Sequence, residues 1–183
     1  EILGYDQVSA LMTTTKLSLD YPVEIVEEYF NKGFQGIFLR NISPYGFALR
    51  TEKSKYETDK FITFYKKALD RILEYNFEGH HFTEDLARIF LTKILSPFNV
   101  GYVDLQSPAG LINGVIVFNY DGNVYATDES RMLAEQKDFT FKLGTLNDSY
   151  SDLFFGEKAN EISEIWANES LAGCSECAFQ QYC

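Results

Sequence analysis

Cysteine and positive charge are both scarce in this 183-residue sequence. It has three cysteines, and 16 Lys and Arg against 27 Asp and Glu, which gives a formal net charge of −11. Nucleic acids and anionic lipid surfaces are both bound by clustered cations, so this balance argues against either partner. The longest apolar run, near Val115–Phe118, is far too short to span a bilayer. We therefore expect no nucleic-acid partner and no membrane partner.

Several other signals are missing. No basic segment followed by an apolar stretch opens the sequence, so a secretory signal is not predicted. Together with the odd number of cysteines, this favours a reducing compartment, and we expect a cytoplasmic protein. The sequence also has no Ser/His/Asp triad pattern, no phosphate-binding loop and no H-E-x-x-H motif. These absences exclude the enzyme classes that such motifs mark.

What cysteine there is lies together at the end of the chain, with the spacing C-x2-C-x5-C. Two thiolates separated by two residues can bind one metal ion or cluster from a tight turn, and a third can close the site from the next turn. We therefore assign Cys174, Cys177 and Cys183 as metal ligands. The alternatives are a redox C-x-x-C pair or three cysteines that bind nothing, although a redox pair usually lies between a strand and a helix.

The first part of the chain predicts a strand, a helix and a second strand. Val8–Thr15 is apolar and then rich in threonine, and Gly36–Asn41 is a second apolar run. The helix between them begins near Pro22 and ends at Lys32-Gly33, where a cation and a glycine suit a helix terminus. Such units form right-handed parallel crossovers.

Ligands of open α/β sheets and barrels bind at the carboxyl ends of the parallel strands. The polar residues at these ends are therefore candidate cofactor-binding residues, namely Thr13, Thr15, Arg40 and Ser43. Arg40 has two interpretations. It is either a clamp for an anion or carboxylate, or a strand-end arginine paired with a neighbouring acid.

Two amphipathic helices follow. Tyr56–Tyr75 keeps a 3.6-residue apolar period, and Thr83 is the predicted cap of a helix that runs to Leu95. The Pro- and Gly-bearing stretch Ser96–Gly110 then marks a boundary, which divides the chain into residues 1–98 and 99–183.

The second part predicts a β-hairpin. Asp121-Gly122 lies between two β-rich runs, Gly114–Tyr120 and Asn123–Thr127. This dipeptide favours a two-residue type I′ turn with positive φ at both positions. Phe139–Leu143 alternates in the manner of an edge strand.

Several of these segments resemble a radical S-adenosylmethionine (SAM) maturase, most closely the B-type maturases of the His-Xaa-Ser peptide systems. The resemblance covers almost the whole chain. It rests on the Thr13–Thr15 strand end, FLRNISPYGFA, DGNVYATDESRM, LGTL and C-x2-C-x5-C.

The resemblance implies an α/β fold. Residues 1–98 would be the C-terminal portion of a partial (β/α) barrel, with two parallel strands and their helices. Residues 99–183 would be a small α+β domain with a β-hairpin, similar to the SPASM domains that hold auxiliary clusters. The family's cofactors would be SAM and an auxiliary [4Fe–4S] cluster, the latter bound by the three cysteines.

Two features of the family pattern are missing from this sequence. The family binds its SAM-cleaving cluster with C-x3-C-x2-C in an early barrel loop, and that motif is absent here. Many SPASM domains also place cysteines just before the hairpin and at the end of its second strand. Here the 107–110 stretch and Thr127 stand in those places, so the resemblance implies at most one auxiliary cluster.

The sequence thus favours a fragment of an enzyme that modifies a ribosomally made peptide, inactive by itself. Its expected partners are the peptide substrate, a partner maturase and, through the cut edge of the barrel, a second copy of the chain. The alternative is a non-catalytic module that binds a peptide or protein partner and holds a structural Zn at the cysteines, since Zn and Fe–S sites share the C-x2-C spacing.

Overall fold

A computed structural model describes residues 4, 8–42, 56–98, 100, 112, 114–165 and 168–182. The chain divides into two compact units, Glu1–Phe98 and Asn99–Cys183. No helix in the described ranges combines the length and the apolar character that a bilayer crossing requires.

The first unit alternates strands and helices. In chain order its elements are β1 (Ala10–Thr13), a 3₁₀ turn (Ser18–Asp20), α1 (Pro22–Asn31), β2 (Gly36–Arg40), α2 (Thr58–Phe77), β3 (Thr83–Glu84) and α3 (Asp85–Leu95). The strands form one parallel sheet in the order β1-β2-β3. This sheet confirms the predicted α/β class.

The helices α1 and α2 pack against one face of the first unit's sheet. Ala10, Ile37 and Leu39 point into a core that also holds Phe64 and Ile72 of α2. Burying one such side chain contributes about 1.5–3 kcal/mol. Because side chains alternate along a strand, the residues between them lie on the opposite face. Among these, Leu11, Thr13 and Arg40 are exposed.

The structure adds to one expectation for this unit and contradicts another. A third parallel strand, Thr83–Glu84, joins the two that were predicted, and it is too short for a periodic pattern to show. The N-cap of α3 is Glu84 rather than Thr83, since the Glu84 side chain accepts a hydrogen bond from the Ala87 N–H. Thr83 instead lies inside the strand, paired with Gly36.

Thr14 carries an unpartnered hydroxyl. The residue is fully buried, and its Oγ1 has no hydrogen-bond partner in the described part of the chain. Leaving a buried hydroxyl unpaired costs about 1–3 kcal/mol, so Thr14→Val is expected to raise the free energy of unfolding by about 1 kcal/mol. Urea denaturation measures the change. Thr13→Val is the control, because Thr13 is exposed and the same substitution there is expected to be near neutral. A destabilised Thr14→Val variant would contradict the expectation.

The second unit combines short strands with short helices. Its elements are β4 (Val117–Phe118), β5 (Asn123–Tyr125), α4 (Asp128–Ala134), β6 (Lys142–Thr145), α5 (Tyr150–Phe155), α6 (Glu157–Ile165) and two 3₁₀ turns (Asn168–Ser170 and Gln180–Tyr182). The strands form an antiparallel sheet in the order β4-β5-β6. A strand was predicted over Phe139–Leu143. The observed strand, β6, begins three residues later and covers Lys142–Thr145. Its place at the sheet edge was predicted correctly.

The hairpin is present, but its turn differs from the prediction. Phe118 pairs with Val124, and the Asn119 N–H donates to the Asn123 carbonyl, so the loop has three residues, 120–122. Only Gly122 has positive φ, at 79°. The Gly122 N–H donates to the Asn119 carbonyl, which makes a type I turn followed by a left-handed glycine. Asp121 stabilises the loop by accepting a hydrogen bond from the Asn123 N–H.

Candidate functional site

The carboxyl ends of β1 and β2 bring Thr13 and Arg40 together. The two residues are register partners in the parallel ladder, and both are exposed. The Arg40 guanidinium lies 5.9 Å from the Phe38 ring centroid, within cation–π distance. In the described ranges no carboxylate pairs with Arg40. Within the part of the chain that the structure describes, its charge is therefore unpaired. Ser43 lies outside the described residues.

The threonines of this edge have three different environments. Thr13 lies on the exposed face, and Thr14 is buried. The Thr15 hydroxyl lies 3.0 Å from the Ser18 hydroxyl, which also accepts a hydrogen bond from the Thr15 N–H. Thr15 therefore helps to form the turn after β1. Its hydroxyl is exposed and keeps further hydrogen-bonding capacity beside the bond to Ser18.

Tyr56, which was not predicted as a site residue, holds the two strand ends in place. Its hydroxyl donates to the Thr14 carbonyl at 2.9 Å and accepts from the Ile42 N–H at 2.9 Å. Burial raises the pKa of this hydroxyl, while the hydrogen bond from Ile42 partly opposes the rise. Tyr56 precedes α2, so this bridge fixes the start of that helix to the carboxyl edge.

Glu84, the last residue of β3, carries a buried carboxylate, and it too was missed. It is 3% exposed. Its Oε1 accepts the Leu39 N–H at 3.0 Å, and its Oε2 accepts the Ala87 N–H at 2.6 Å and the Tyr65 hydroxyl. Burial and this bond to the carboxylate both raise the pKa of Tyr65. With three donors around it, Glu84 has a positioning role between β2, α2 and α3.

The cysteine segment of the second unit is a succession of tight turns. The Cys174 N–H donates to the Leu171 carbonyl, the Cys177 N–H to the Cys174 carbonyl and the Gln180 N–H to the Cys177 carbonyl. Gly173 begins the series with a φ of 82°, a conformation that glycine adopts without strain. Cys174 is half-buried, Cys177 is exposed, and both are free thiols.

Two of the three predicted metal ligands, Cys174 and Cys177, lie in the described part of this segment. The two thiols lie one turn apart, as C-x2-C ligands do, and thiolates are the ligands that Zn and Fe–S clusters prefer. Cys183 lies outside the described residues. Within those residues no group of three or more His, Cys, Asp or Glu side chains is arranged to hold a metal. The described segment therefore contains two of the three predicted ligands, and their role in metal binding stays a prediction.

The chain matches no known family model and no curated protein sequence. Its structure is similar to solved structures of anSMEcpe, an anaerobic sulfatase-maturating radical SAM enzyme. Native anSMEcpe with bound AdoMet has a TM-score of 0.64 and 18% identity, over 94% of this chain and 45% of that chain. The hexahistidine-tagged form with AdoMet has a TM-score of 0.64 and 19% identity, over 96% and 46%. The complex with AdoMet and Kp18Cys peptide has a TM-score of 0.64 and 19% identity, over 94% and 45%.

The fold is that of the C-terminal part of a radical SAM enzyme. This match confirms the predicted fold class, with the third parallel strand added to it. The chain spans less than half the length of the solved structures it matches. At this identity the likeness concerns the radical SAM fold alone, and the His-Xaa-Ser assignment stays a prediction.

Proposed function

We propose that this chain is part of a radical SAM enzyme that modifies a ribosomally made peptide. The observation that carries the proposal is the match over 94% of the chain to an enzyme structure that contains both AdoMet and a peptide. The segments FLRNISPYGFA and DGNVYATDESRM favour the B-type maturases of the His-Xaa-Ser systems within that class. The measurement that tests the proposal is 5′-deoxyadenosine formation by the longer protein, with and without its peptide.

In this proposal the carboxyl edge of the parallel sheet faces SAM and the peptide. Thr13 offers an exposed hydroxyl, and Arg40 offers an exposed cation suited to a carboxylate. Tyr56 and Glu84 hold these strand ends and helix starts in position. Thr15 and Ser43 complete the proposed cofactor-binding set. Bound SAM would supply the hydrogen-abstracting radical, and the protein would orient the peptide and exclude water.

The second unit is proposed to hold one auxiliary [4Fe–4S] cluster through Cys174, Cys177 and Cys183. Two free thiols one turn apart support this role. A structural Zn at the same residues is the alternative occupant, because the spacing suits both. The proposal further includes a cytoplasmic location, a partner maturase and association of copies through the outer edge of β1.

Removing one thiol is expected to remove the cluster. In longer protein purified without oxygen, Cys174→Ser and Cys177→Ser should each lower the iron content by about four atoms per chain, which is one cluster. Iron, sulfide and zinc analysis with a visible absorption spectrum provides the measurement. Ser175→Ala is the matched control, since Ser175 lies between the two cysteines and its hydroxyl is a poor ligand for iron. If the unsubstituted protein is colourless and the cysteine variants lose zinc instead of iron, the site binds Zn and not a cluster. Unchanged iron and zinc in both cysteine variants would refute a metal site.

A further inference from the structure

A large groove lies in the first unit, next to the carboxyl edge of the sheet. Its volume is about 1000 Å³, at the upper end of the range for ligand sites. One wall is the segment 16–20, which follows β1, and the other is formed by residues 56–67 at the start of α2. The proposed cofactor-binding and metal-binding residues that the structure describes do not line this groove.

Charges of both signs line the groove, three of each among the residues that the structure describes. Lys16, Lys60 and Lys67 line it. So do three carboxylates, Asp20, Glu57 and Asp59. Lys60 pairs with Glu57 at 3.5 Å, but in the described ranges no ion pair involves the other four. As far as the described residues go, two cations and two anions of the lining are therefore unpaired and can contact a ligand.

Apolar side chains lie among these charges. Phe64 is buried at the floor of the groove, and Leu17 is 79% exposed at its edge. Covering an exposed leucine with an apolar ligand group is favourable at about 25 cal/mol per Å². The lining thus suits a ligand that has an apolar group between charged ones.

Tyr56 connects the groove to the proposed catalytic edge. It lines the groove, and its hydroxyl is bonded to the backbone of Thr14 and Ile42, the residues that follow β1 and β2. A single side chain, that of Tyr56, therefore contacts both the groove and the strand ends. An extended chain that crosses this edge can continue into the groove.

We propose that this groove binds a segment of the peptide substrate outside the reacting residue, and that this segment carries acidic and basic side chains around an apolar one. The inference rests on the proposed function, which makes the substrate a peptide. A small anion fits the groove less well, because Asp20 and Asp59 would repel it. A mixed-charge peptide satisfies both sets of charges.

The test measures peptide binding to the longer protein by fluorescence anisotropy. The probes are three labelled peptides of equal length with a central leucine, flanked by alternating Lys and Glu, by Glu alone or by Lys alone. The alternating peptide is expected to bind most tightly. Lys67→Glu should weaken its binding about fivefold, the effect of replacing one exposed ion pair with a like-charge contact. Lys66→Glu is the control, since Lys66 is exposed on the same helix but outside the groove, and it should change binding less than about twofold.

Tighter binding of the all-Glu peptide would overturn the proposal in favour of an anion site. Equal effects of Lys67→Glu and Lys66→Glu would overturn it as well. Failure of the groove and failure of the proposed function are separable. Formation of 5′-deoxyadenosine without a specific effect of Lys67 refutes only the groove, whereas specific peptide binding without 5′-deoxyadenosine refutes only the enzyme.

Discussion

Residues 1–183 alone are expected to form no 5′-deoxyadenosine from SAM, whereas the longer protein to which we assign them should form it. Reductive cleavage needs an iron with an open coordination position, and the resemblance places that iron on three cysteines of an early barrel loop. All three cysteines of this chain lie within its last ten residues, in the second unit. The candidate SAM-binding edge lies in the first unit, on a three-stranded sheet. A sheet of three strands has too few strands to enclose a radical and exclude water from it.

The measurement compares the two proteins under identical conditions. Each is reconstituted with iron and sulfide, reduced with dithionite and incubated with SAM, and the product is quantified by chromatography against a sample without protein. The chain alone should stay at the level of that blank. If it formed product, and if Cys174→Ser abolished the product, the terminal cysteines would themselves be the catalytic cluster site.

Glu84→Ala is expected to lower the free energy of unfolding by about 3–5 kcal/mol. The substitution removes the acceptor of three hydrogen bonds and leaves the Leu39 and Ala87 N–H groups and the Tyr65 hydroxyl without it. The bond from Leu39 is buried and the other two are partly buried. An unpaired buried donor costs about 1–3 kcal/mol and a partly buried one costs less, and the loss of a helix cap is included in the sum. Because a domain has about 5–15 kcal/mol of stability in total, the first unit should be close to unfolding.

Urea denaturation followed by circular dichroism measures this loss. Asp85→Ala is the control, because Asp85 is the next residue and forms an ion pair with Arg88 at 3.3 Å on the helix surface. Such a pair contributes less than about 1 kcal/mol. Glu84→Gln should fall between the two, since the amide still offers an oxygen but turns an NH₂ group towards a donor. Similar free energies of unfolding for Glu84→Ala and Asp85→Ala would show that the hydrogen bonds of the buried carboxylate do not stabilise the first unit.

Periodic patterns predicted most of the first unit. The helices and the first two strands could be predicted because each repeats a signal over several residues. Thr83–Glu84 is only two residues long, so it cannot show a repeating hydrophobic pattern. It forms a strand because it pairs with Gly36 and Ile37. Glu84 resembles any acidic residue in a first helical turn until the Leu39 N–H and the Tyr65 hydroxyl are brought to it from elsewhere in the chain.

Local chemistry predicted the hairpin but not its register. Asp121-Gly122 suits both a two-residue turn and the last two positions of a three-residue loop. Cross-strand pairing of Phe118 with Val124 decides for the longer loop. For the cysteines, spacing predicted the turn between Cys174 and Cys177, which the structure shows. Tyr56 could not be predicted, because its partner Thr14 lies 42 residues away and nothing local indicates the bond.

The bonds of Tyr56 and Glu84 also affect how the first unit folds. They join residues 42 and 45 positions apart in sequence, and each connects the start of a helix to an earlier strand. Closing loops of this length lowers the entropy of the chain before the contacts that offset this cost are formed. A sheet of this topology therefore forms slowly. Neither bond can form until the intervening chain is compact. We therefore expect strand ends and helix starts to gain protection from hydrogen exchange in one late, cooperative step.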